Sequence, residues 1–269
     1  MVDGTWLYAV AGPALPQLPV HLRGVAGEPV RPLRCAQLTA VVGSVDLAEF
    51  GEEPLRRSFN DLRWVEHVAR GHHEVVEAVA VLCPAIPFRL ATIHLDDDRV
   101  CAFVAGHQEA LGAALHRVAA HAEWGVKAYV GPARVPLADA GGPPAADRPG
   151  LAYLMRRRQQ LHRREAAWAE GVAHADAVHA ALAGPSTAAI RHPVRGDEQS
   201  DGAERLVLNA AYLVGHANSA RFTDAVRALS VMDGIRLHVT GPWAPYSFAD
   251  FAVHGADSSP DRADPGTAP

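Results

Sequence analysis

The segment Glu123-Trp124-Gly125-Val126-Lys127-Ala128-Tyr129-Val130 carries the clearest strand pattern in the chain, and it stands directly before a long structure breaker. Its apolar residues at the even-numbered positions would share one face of a strand, with Glu123, Lys127 and Tyr129 on the other. Residues 131–150 then hold five prolines and four glycines, a composition that regular elements do not tolerate. We therefore predict that an N-terminal domain of residues 1–130 ends with this strand, and that residues 131–150 form a linker.

Residue type and spacing predict three more strands in the N-terminal domain. Trp6-Leu7-Tyr8-Ala9-Val10 is typical of a first strand. The β-branched run over residues 37–45 predicts a second strand, paired as a hairpin with another near residues 30–33. These strands, together with the helices described next, predict an α+β domain.

Two helices are predicted between the hairpin and the strand at 123–130. Ser58-Phe59-Asn60-Asp61 resembles a capped helix start, and apolar residues then recur at three- and four-residue spacing until Pro84 ends the helix. A second apolar stripe is weakened by Gly106 and Gly112. Both helices are expected to cover one face of the sheet.

The residues beyond the linker predict a second α+β domain over 151–251, in the order α-β-β-α-β. A long amphipathic helix ends at Gly184-Pro185. The remaining elements are predicted as strands near 187–194 and 206–214, a helix from Asn218 or Ser219, and a final strand from Ile235. Ferredoxin-like variants are the nearest common architecture. Residues 252–269 are dominated by small and polar types, which predicts a disordered tail.

Composition excludes several classes of protein. The net charge of −5 and pI of about 6.3 give no global attraction to nucleic acid or to an anionic membrane. The first residues lack the basic start and apolar run of a signal peptide. No apolar stretch approaches the roughly 18 to 20 residues that span a bilayer. We expect a soluble, cytoplasmic protein.

Cysteine and histidine positions do not indicate a disulfide or a metal site. The three cysteines, Cys35, Cys83 and Cys101, are far apart and include no C-x-x-C pair, so we expect neither a disulfide framework nor a zinc ribbon. The fifteen histidines are numerous. Those on predicted helices are nevertheless five or six residues apart rather than the four that place two ligands on one helix face.

No catalytic signature is present. The sequence has no G-x-S-x-G nucleophile elbow, no phosphate-binding G-x-x-x-x-G-K-[ST] loop and no G-x-G-x-x-G opening a helix. We therefore predict that the protein is not an enzyme and uses no cofactor.

An aromatic segment near the C-terminus, Val239-Thr240-Gly241-Pro242-Trp243-Ala244-Pro245-Tyr246-Ser247-Phe248, is the strongest candidate for a binding surface. Two prolines stiffen the backbone around Trp243 and Tyr246. The segment either packs on its own domain or faces a partner. We expect a mixture in which Trp243 packs and Tyr246 is exposed.

Arg89 is a second candidate, because it follows the extended segment Pro84-Ala85-Ile86-Pro87-Phe88. Two prolines hold this backbone stiff and project the guanidinium toward whatever lies opposite. One alternative is a partner protein. The other is an internal ion pair with Asp96, Asp97 or Asp98.

These segments together give the chain a resemblance to the gas-vesicle protein F/L family, accessory proteins of gas-vesicle assembly. The resemblance covers residues 5 to 251. The segments that carry it are Trp6-Leu7-Tyr8-Ala9-Val10, Asp61-Leu62-Arg63-Trp64-Val65-Glu66, His72-His73-Glu74-Val75-Val76, Pro84-Ala85-Ile86-Pro87-Phe88-Arg89, Glu123-Trp124-Gly125-Val126-Lys127 and Thr240-Gly241-Pro242-Trp243-Ala244-Pro245-Tyr246-Ser247-Phe248.

The resemblance implies a two-domain α+β protein whose N-terminal domain is a modified ferredoxin-like fold and which has no catalytic activity. It implies association with gas vesicles, and contact with the small, apolar major shell protein and with other accessory proteins. The residues we expect to bind a partner are Trp243, Tyr246, Phe248, Arg89 and Lys127. A ferredoxin-like module that binds a small regulatory molecule is the alternative, since fold alone does not exclude it.

The sequence departs from the family pattern at two places. Relatives usually carry Arg-Phe/Tyr-Gly-Thr where this chain has Arg89-Leu90-Ala91-Thr92, so an alanine replaces glycine at Ala91. Ala244 stands where the family's Gly-Pro-x-Pro-Pro-Tyr has a proline.

Overall fold

The computed structural model of the protein describes residues 2–131, 149–194, 199–200, 204–230 and 235–249. Most of the predicted linker 131–150 and all of the predicted tail 252–269 lie outside the described residues. The chain divides into two compact units, formed by the described parts of Met1–Ala119 with Phe248–Pro269 and of Ala120–Ser247. Each unit is an antiparallel sheet with helices, so the predicted α+β class is confirmed.

The first unit contains five strands and five helices among its described residues. The strands are β1 (Asp3–Ala11), β2 (Arg31–Cys35), β3 (Leu38–Asp46), β4 (Ala85–Pro87) and β5 (Ile93–His94). The helices are α1 (Leu47–Phe50), α2 (Glu52–Ser58), α3 (Leu62–Leu82), α4 (Asp97–Gly106) and α5 (Gln108–Val118). The predicted first strand, hairpin and capped helix are therefore confirmed, and the predicted second helix is two helices that meet at His107.

The first sheet has the strand order β2-β3-β1-β4, and every neighbouring pair is antiparallel. Numbered along the chain, this is the order 4-1-3-2 of a ferredoxin-like unit. The connection from β3 to β4 contains helices α1 to α3, as that fold requires. The connection from β1 to β2 contains none, because residues 12–30 are irregular. The unit is thus ferredoxin-like with one helix missing.

A polar contact fastens the irregular connection to the sheet in place of a helix. The hydroxyl of Tyr8 donates to Glu28 Oε1 at 2.5 Å and accepts from the amide of Val25 at 2.9 Å. A side chain at Gly24 or Gly43 would displace the Glu28 carboxylate, since a Cβ on Gly24 would lie 1.7 Å and one on Gly43 2.2 Å from Glu28 Oε1. These bonds hold residues 24–28 against the buried strand β1.

A buried histidine joins helix α3 to the core of the first unit. The indole nitrogen of Trp6 donates to His72 Nδ1 at 3.0 Å, and His72 Nε2 lies 3.0 Å from the Phe88 carbonyl oxygen. Because Nδ1 accepts, the proton resides on Nε2, which donates to that carbonyl. Burial lowers the pKa of His72 to about 4, so the folded protein holds this imidazole neutral at pH 7.

The expectation that the cysteines form no disulfide was wrong. Cys35 and Cys101 are bonded, with Cα atoms 4.7 Å apart, and Cys83 is free. The bonded cysteines are 66 residues apart in sequence. They meet because helix α4 packs on strand β2, at whose end Cys35 lies. Short-range spacing carries no information about such a pair.

The second unit begins one strand earlier than the sequence predicts. Its strands are β6 (His121–Val130), β7 (Ala188–Arg191), β8 (Gln199–Ser200), β9 (Glu204–Gly215) and β10 (Ile235–Trp243), and its helices are α6 (Pro149–Ala183) and α7 (Ser219–Leu229). Strand β6 pairs with β9 and β10, not with the first sheet. Placing this strand in an N-terminal domain of residues 1–130 was wrong, because the Pro/Gly-rich stretch lies within the β6–α6 connection.

With β6 included, the second unit is a complete βαββαβ arrangement. The strand order is β10-β6-β9-β7, which is again 4-1-3-2 along the chain. Helix α6 connects β6 to β7, and α7 connects β9 to β10. Both helices pack on one face of the sheet, where the buried residues are Val126, Ala128, Ala175, Val178, Leu182, Leu208, Ala210, Tyr212, Val214, Phe222 and Ile235. The predicted order α-β-β-α-β after the linker agrees with the structure except for the additional two-residue strand β8.

The neutral state of His72 predicts that acid destabilises the first unit. The pKa of histidine in an unfolded chain is near 6.5, and that of His72 in the folded chain is about 4. Between these two values the unfolded chain binds a proton that the folded chain does not bind. The free energy of unfolding falls by about 3 kcal/mol as the pH drops through this window, and above pH 6.5 none of it is lost. His72→Gln keeps a donor and an acceptor but does not titrate. The stability advantage of the wild type over this variant, measured by urea unfolding from pH 7 to pH 4.5, should therefore shrink as the pH falls.

The control for this measurement is His67→Gln, an exposed change on the same helix that should track the wild type. A constant difference between wild type and His72→Gln over the whole window would contradict the prediction.

The backbone at Ala91 predicts a stabilising substitution. Ala91 has a φ of 63°, in the left-handed region where a Cβ costs about 1 kcal/mol and glycine costs nothing. The glycine expected here from the family pattern would suit this conformation. Ala91→Gly should raise the free energy of unfolding by up to about 1 kcal/mol. Ala113→Gly, in the exposed interior of α5, should lower it by about 0.5 to 1 kcal/mol, and urea titrations at pH 7 compare the two.

Candidate functional site

A row of four polar residues crosses the second sheet on the face away from α6 and α7. Lys127 of β6 is paired with His238 of β10 on one side and with Asn209 of β9 on the other. The amide of His192 donates to the Asn209 carbonyl oxygen at 2.8 Å, which continues the row beyond β7. We call His238, Lys127, Asn209 and His192 the Lys127 row. Neighbouring strands are about 4.8 Å apart, so the row spans roughly 15 Å.

A cavity of about 430 Å³ lies over this row. Its lining residues are Glu123, Gly125, Val126, Lys127, Tyr129, His192, Asn209, Ala210, Ala211, Arg236, His238 and Thr240. Beside Lys127 this face carries small residues, Gly125 and its partner Ala211 on β9, and the Thr240 hydroxyl lies 2.7 Å from where a Cβ on Gly125 would stand. Glycine inside a strand often marks a place where another molecule approaches the backbone.

Two basic side chains at this face, Arg236 and Lys127, differ in whether a carboxylate is bonded to them. Arg236 Nε donates to Glu204 Oε2 at 3.0 Å, and its guanidinium carbon lies 4.6 Å from the centre of the Tyr129 ring. The hydrogen bonds of this pair lower the pKa of Glu204 and raise that of Arg236. The exposed ammonium of Lys127 makes no ion pair or hydrogen bond within the described part of the chain. Within those residues its charge is available to a ligand.

Glu123, at one end of the cavity, is engaged elsewhere. Its two carboxylate oxygens accept from the amide and the hydroxyl of Ser247, both at 2.7 Å. Burial raises the pKa of Glu123, and these hydrogen bonds oppose the shift. The contact ties the chain after β10 to β6.

The aromatic segment differs from the prediction in which ring it exposes. Trp243 ends β10 opposite Glu123 and is 40% exposed, whereas Tyr246 is half-buried and Phe248 is buried at 6% exposure. The expectation that Trp243 packs and Tyr246 is exposed was wrong. Gly241 directs the turn: it has a φ of 114°, and a Cβ there would lie 2.6 Å from the Glu123 carbonyl oxygen.

The five predicted binding residues fall in different units. Lys127, Trp243 and Tyr246 belong to the second unit, and Arg89 and Phe248 to the first. Arg89 is exposed directly after the buried strand β4. Of the carboxylates considered as its ion-pair partners, Asp97 Oδ1 accepts from Arg31 at 2.8 Å, and Asp96 caps α4.

Sequence reasoning did not find His238, Asn209, His192 or Arg236. His238 and Arg236 alternate with the apolar residues of the predicted final strand, which is the only local signal that they share a face. Their position beside Lys127 depends on strand pairing between residues more than eighty positions apart. The spacing of residues in the sequence does not show which strands pair, so it does not place these residues beside Lys127.

Within the described residues, no group of three or more histidine, cysteine or acidic side chains is placed to hold a metal ion. None of the described helices is both long and apolar enough to cross a membrane.

Comparison with solved structures supports the fold. The crystal structure of the gas vesicle protein GvpF from Anabaena sp. PCC7120 superposes with a TM-score of 0.63 at 16% sequence identity, covering 94% of this chain and 99% of that one. GvpF from Microcystis aeruginosa gives a TM-score of 0.61 at 17% identity, covering 93% of this chain and all of the other.

Comparison of sequences establishes the family. Gas vesicle protein L of Streptomyces sp. (strain CB03234) is 36% identical over 248 residues, which are 92% of this chain and 93% of that protein. The family model described as gas vesicle synthesis protein GvpL/GvpF matches residues 4–250. On this agreement over nearly the whole chain, the protein belongs to the GvpL/GvpF family and has a role in gas vesicle formation.

Proposed function

We propose that this protein binds the major shell subunit directly during gas vesicle formation, in the cytoplasm and at the growing vesicle, and performs no chemistry itself. The surface used is the face of the second sheet that carries the Lys127 row, together with Trp243 at its end. The partner is held there before it enters the shell and is then released.

The observation that carries the proposal is the exposure of Trp243. A tryptophan that is 40% exposed at the end of a nine-residue strand keeps a large apolar surface in contact with water. Such side chains are the commonest anchors of protein interfaces, because they bury much area while losing little conformational freedom. An apolar shell subunit offers the surface that this indole would cover.

The edge of the sheet supplies a second feature that suits a shell subunit. Strand β10 is last in the strand order and pairs only with β6 among the described strands. Its outer edge therefore presents backbone donors and acceptors to an added strand. The irregular register between Thr240 and Trp243 limits how far such pairing extends, and this favours a contact that can be undone.

A small-molecule-binding regulatory module is the second candidate. The cavity volume of about 430 Å³ supports it, since ligand pockets typically measure about 300 to 1,000 Å³. Such pockets are mostly apolar and enclosed. The cavity over the Lys127 row is instead open to solvent, with the exposed ends of Lys127, Arg236 and His238 at its surface, and this favours contact with a protein surface.

The different exposures of Trp243 and Phe248 predict that substituting Trp243 mainly weakens binding and that substituting Phe248 mainly weakens the fold. Trp243→Ala should weaken retention of shell subunit by about tenfold or more, because a truncated interface tryptophan commonly costs about 2 kcal/mol of binding, and it should cost less stability than truncation of a buried ring. Phe248→Ala should instead destabilise the fold by about 3 to 5 kcal/mol. Thermal melts and pull-downs with purified shell subunit measure both effects.

The matched control is Phe59→Ala, which removes an aromatic ring that is 45% exposed in the first unit. This variant should bind shell subunit normally. Loss of binding in Phe59→Ala as large as that in Trp243→Ala would count against the proposed surface.

The proposed role predicts a specific defect in cells. Deletion of the gene from a vesicle-producing host without a paralogue should abolish vesicles, and the intact chain should restore them. Trp243→Ala should restore fewer, since the subunit is held less tightly. Electron microscopy and buoyancy report the outcome. Normal vesicles in the deletion strain would refute the role, whereas absent vesicles with no shell-subunit retention by the purified protein would refute direct binding alone.

A further inference from the structure

Lys127 is the single lysine in this protein. The sequence contains 25 lysine and arginine residues, and all the others are arginine. This lysine lies on β6, which has a neighbouring strand on each side. One of the two interior strands therefore carries the single lysine on its exposed face.

The surroundings of Lys127 do not balance its charge. Opposite charges facing each other across strands stabilise a sheet, and like charges weaken it. Lys127 faces His238 and Asn209 instead of a carboxylate. The two carboxylates nearest in the cavity and its rim are already bonded, Glu123 to Ser247 and Glu204 to Arg236.

The residues next to Lys127 on this face are small. Gly125 precedes Lys127 by two residues and so lies on the same face, and its neighbour on β9 is Ala211. Both contribute to the cavity lining. A group of a few atoms can thus sit against the sheet within reach of Lys127 Nζ, the Asn209 amide and the His238 ring, which are all able to donate hydrogen bonds.

We infer that the Lys127 row binds a side-chain carboxylate from an acidic, extended segment of the partner protein. This inference rests on the proposed function, in that it names the chemistry of the segment held on the same surface. The carboxylate accepts from Lys127 and Asn209, and His238 closes one side of the site.

A phosphate group fits this place less well than a carboxylate. The guanidinium in the cavity, which would suit bidentate phosphate contact, is held by Glu204. The backbone amides of β6 are engaged in the sheet and form no anion-binding turn. Glu123 at the end of the cavity would repel a dianion more strongly than a single carboxylate.

The distance to Trp243 restricts the segment further. Trp243 is paired with Glu123, four residues from Lys127 along β6. At about 3.3 Å per residue, the indole and the ammonium are roughly 13 Å apart along the strand. The segment that uses both contacts has an apolar side chain about four extended residues from its acidic one.

The single lysine allows a direct test on the full-length protein. Reductive methylation with isotope-labelled formaldehyde labels Lys127 and the N-terminal amine and preserves their charges, giving one side-chain NMR signal. The probes are the peptide acetyl-Ile-Thr-Ser-Thr-Glu-amide and its Gln counterpart, added to about 10 mM so that millimolar binding is detected. The Glu peptide should shift the Lys127 signal saturably and the Gln peptide should shift it at least about fivefold less. Equal shifts, or none, would overturn the inference.

Inorganic phosphate serves as a third probe in the same experiment. A larger shift of the Lys127 signal with phosphate than with the Glu peptide would overturn the assignment to an acidic segment. A smaller shift supports it.

Variants test the same contact with the shell subunit itself. Lys127→Gln and Lys127→Glu should weaken retention of purified shell subunit by about tenfold or more, and Lys127→Arg should stay within about threefold of the wild type. Arg227→Gln, which removes a basic residue on α7, is the control and should bind normally. If the wild type retains no subunit, the proposed function fails while the peptide result still decides the carboxylate site. Normal retention by Lys127→Gln refutes only the further inference.

Discussion

The pairing of strand β6 with β9 and β10 is the interaction on which the second unit depends. The first strand of a 4-1-3-2 sheet lies in its interior, so without β6 the edge strand β10 has no described partner and β9 keeps only β7 and β8. The inward side chains of β6, Val126 and Ala128, lie in the core beneath both helices. Lys127 lies between them and points the other way, because successive side chains of a strand alternate. Core and candidate site are therefore two faces of one strand.

The position of the Lys127 row on paired strands determines which groups at this face can contact a partner. Residues on paired strands are held more firmly than residues on loops, so the spacing of the Lys127 row is set by the sheet itself. The backbone donors of β6 are used in that pairing, and recognition at the row is left to side chains. In the first unit, polar side chains instead point inward to strand β1. Glu28 bonds to Tyr8 and holds the irregular β1–β2 connection, and His72 bonds to Trp6 and holds helix α3.

Local pattern was sufficient to predict most elements, and insufficient wherever distant segments meet. Periodicity located the helix after Asp61, whose carboxylate accepts from the amides of Arg63 and Trp64, and it located β6 itself. It did not assign β6 to a sheet, because alternation reports which residues share a face and not which strands are neighbours. The Cys35–Cys101 bond and the neighbours of Lys127 escaped prediction for the same reason. Trp243 was identified from its proline-stiffened setting, but its exposure follows from its place at the end of an edge strand, which the sequence does not state.

A protein that holds a shell subunit must also let it go, and the composition of the proposed surface suits that requirement. The charge on Lys127 is exposed, so its attraction to a carboxylate is partly screened at physiological ionic strength, where the Debye length is about 8 Å. Such contacts raise the rate and selectivity of association more than its strength. The apolar contribution comes from one partly exposed indole rather than from a broad patch. An interface of this kind selects its partner through a charge and an anchor at fixed spacing, and it remains weaker than the apolar burial that joins shell subunits to one another.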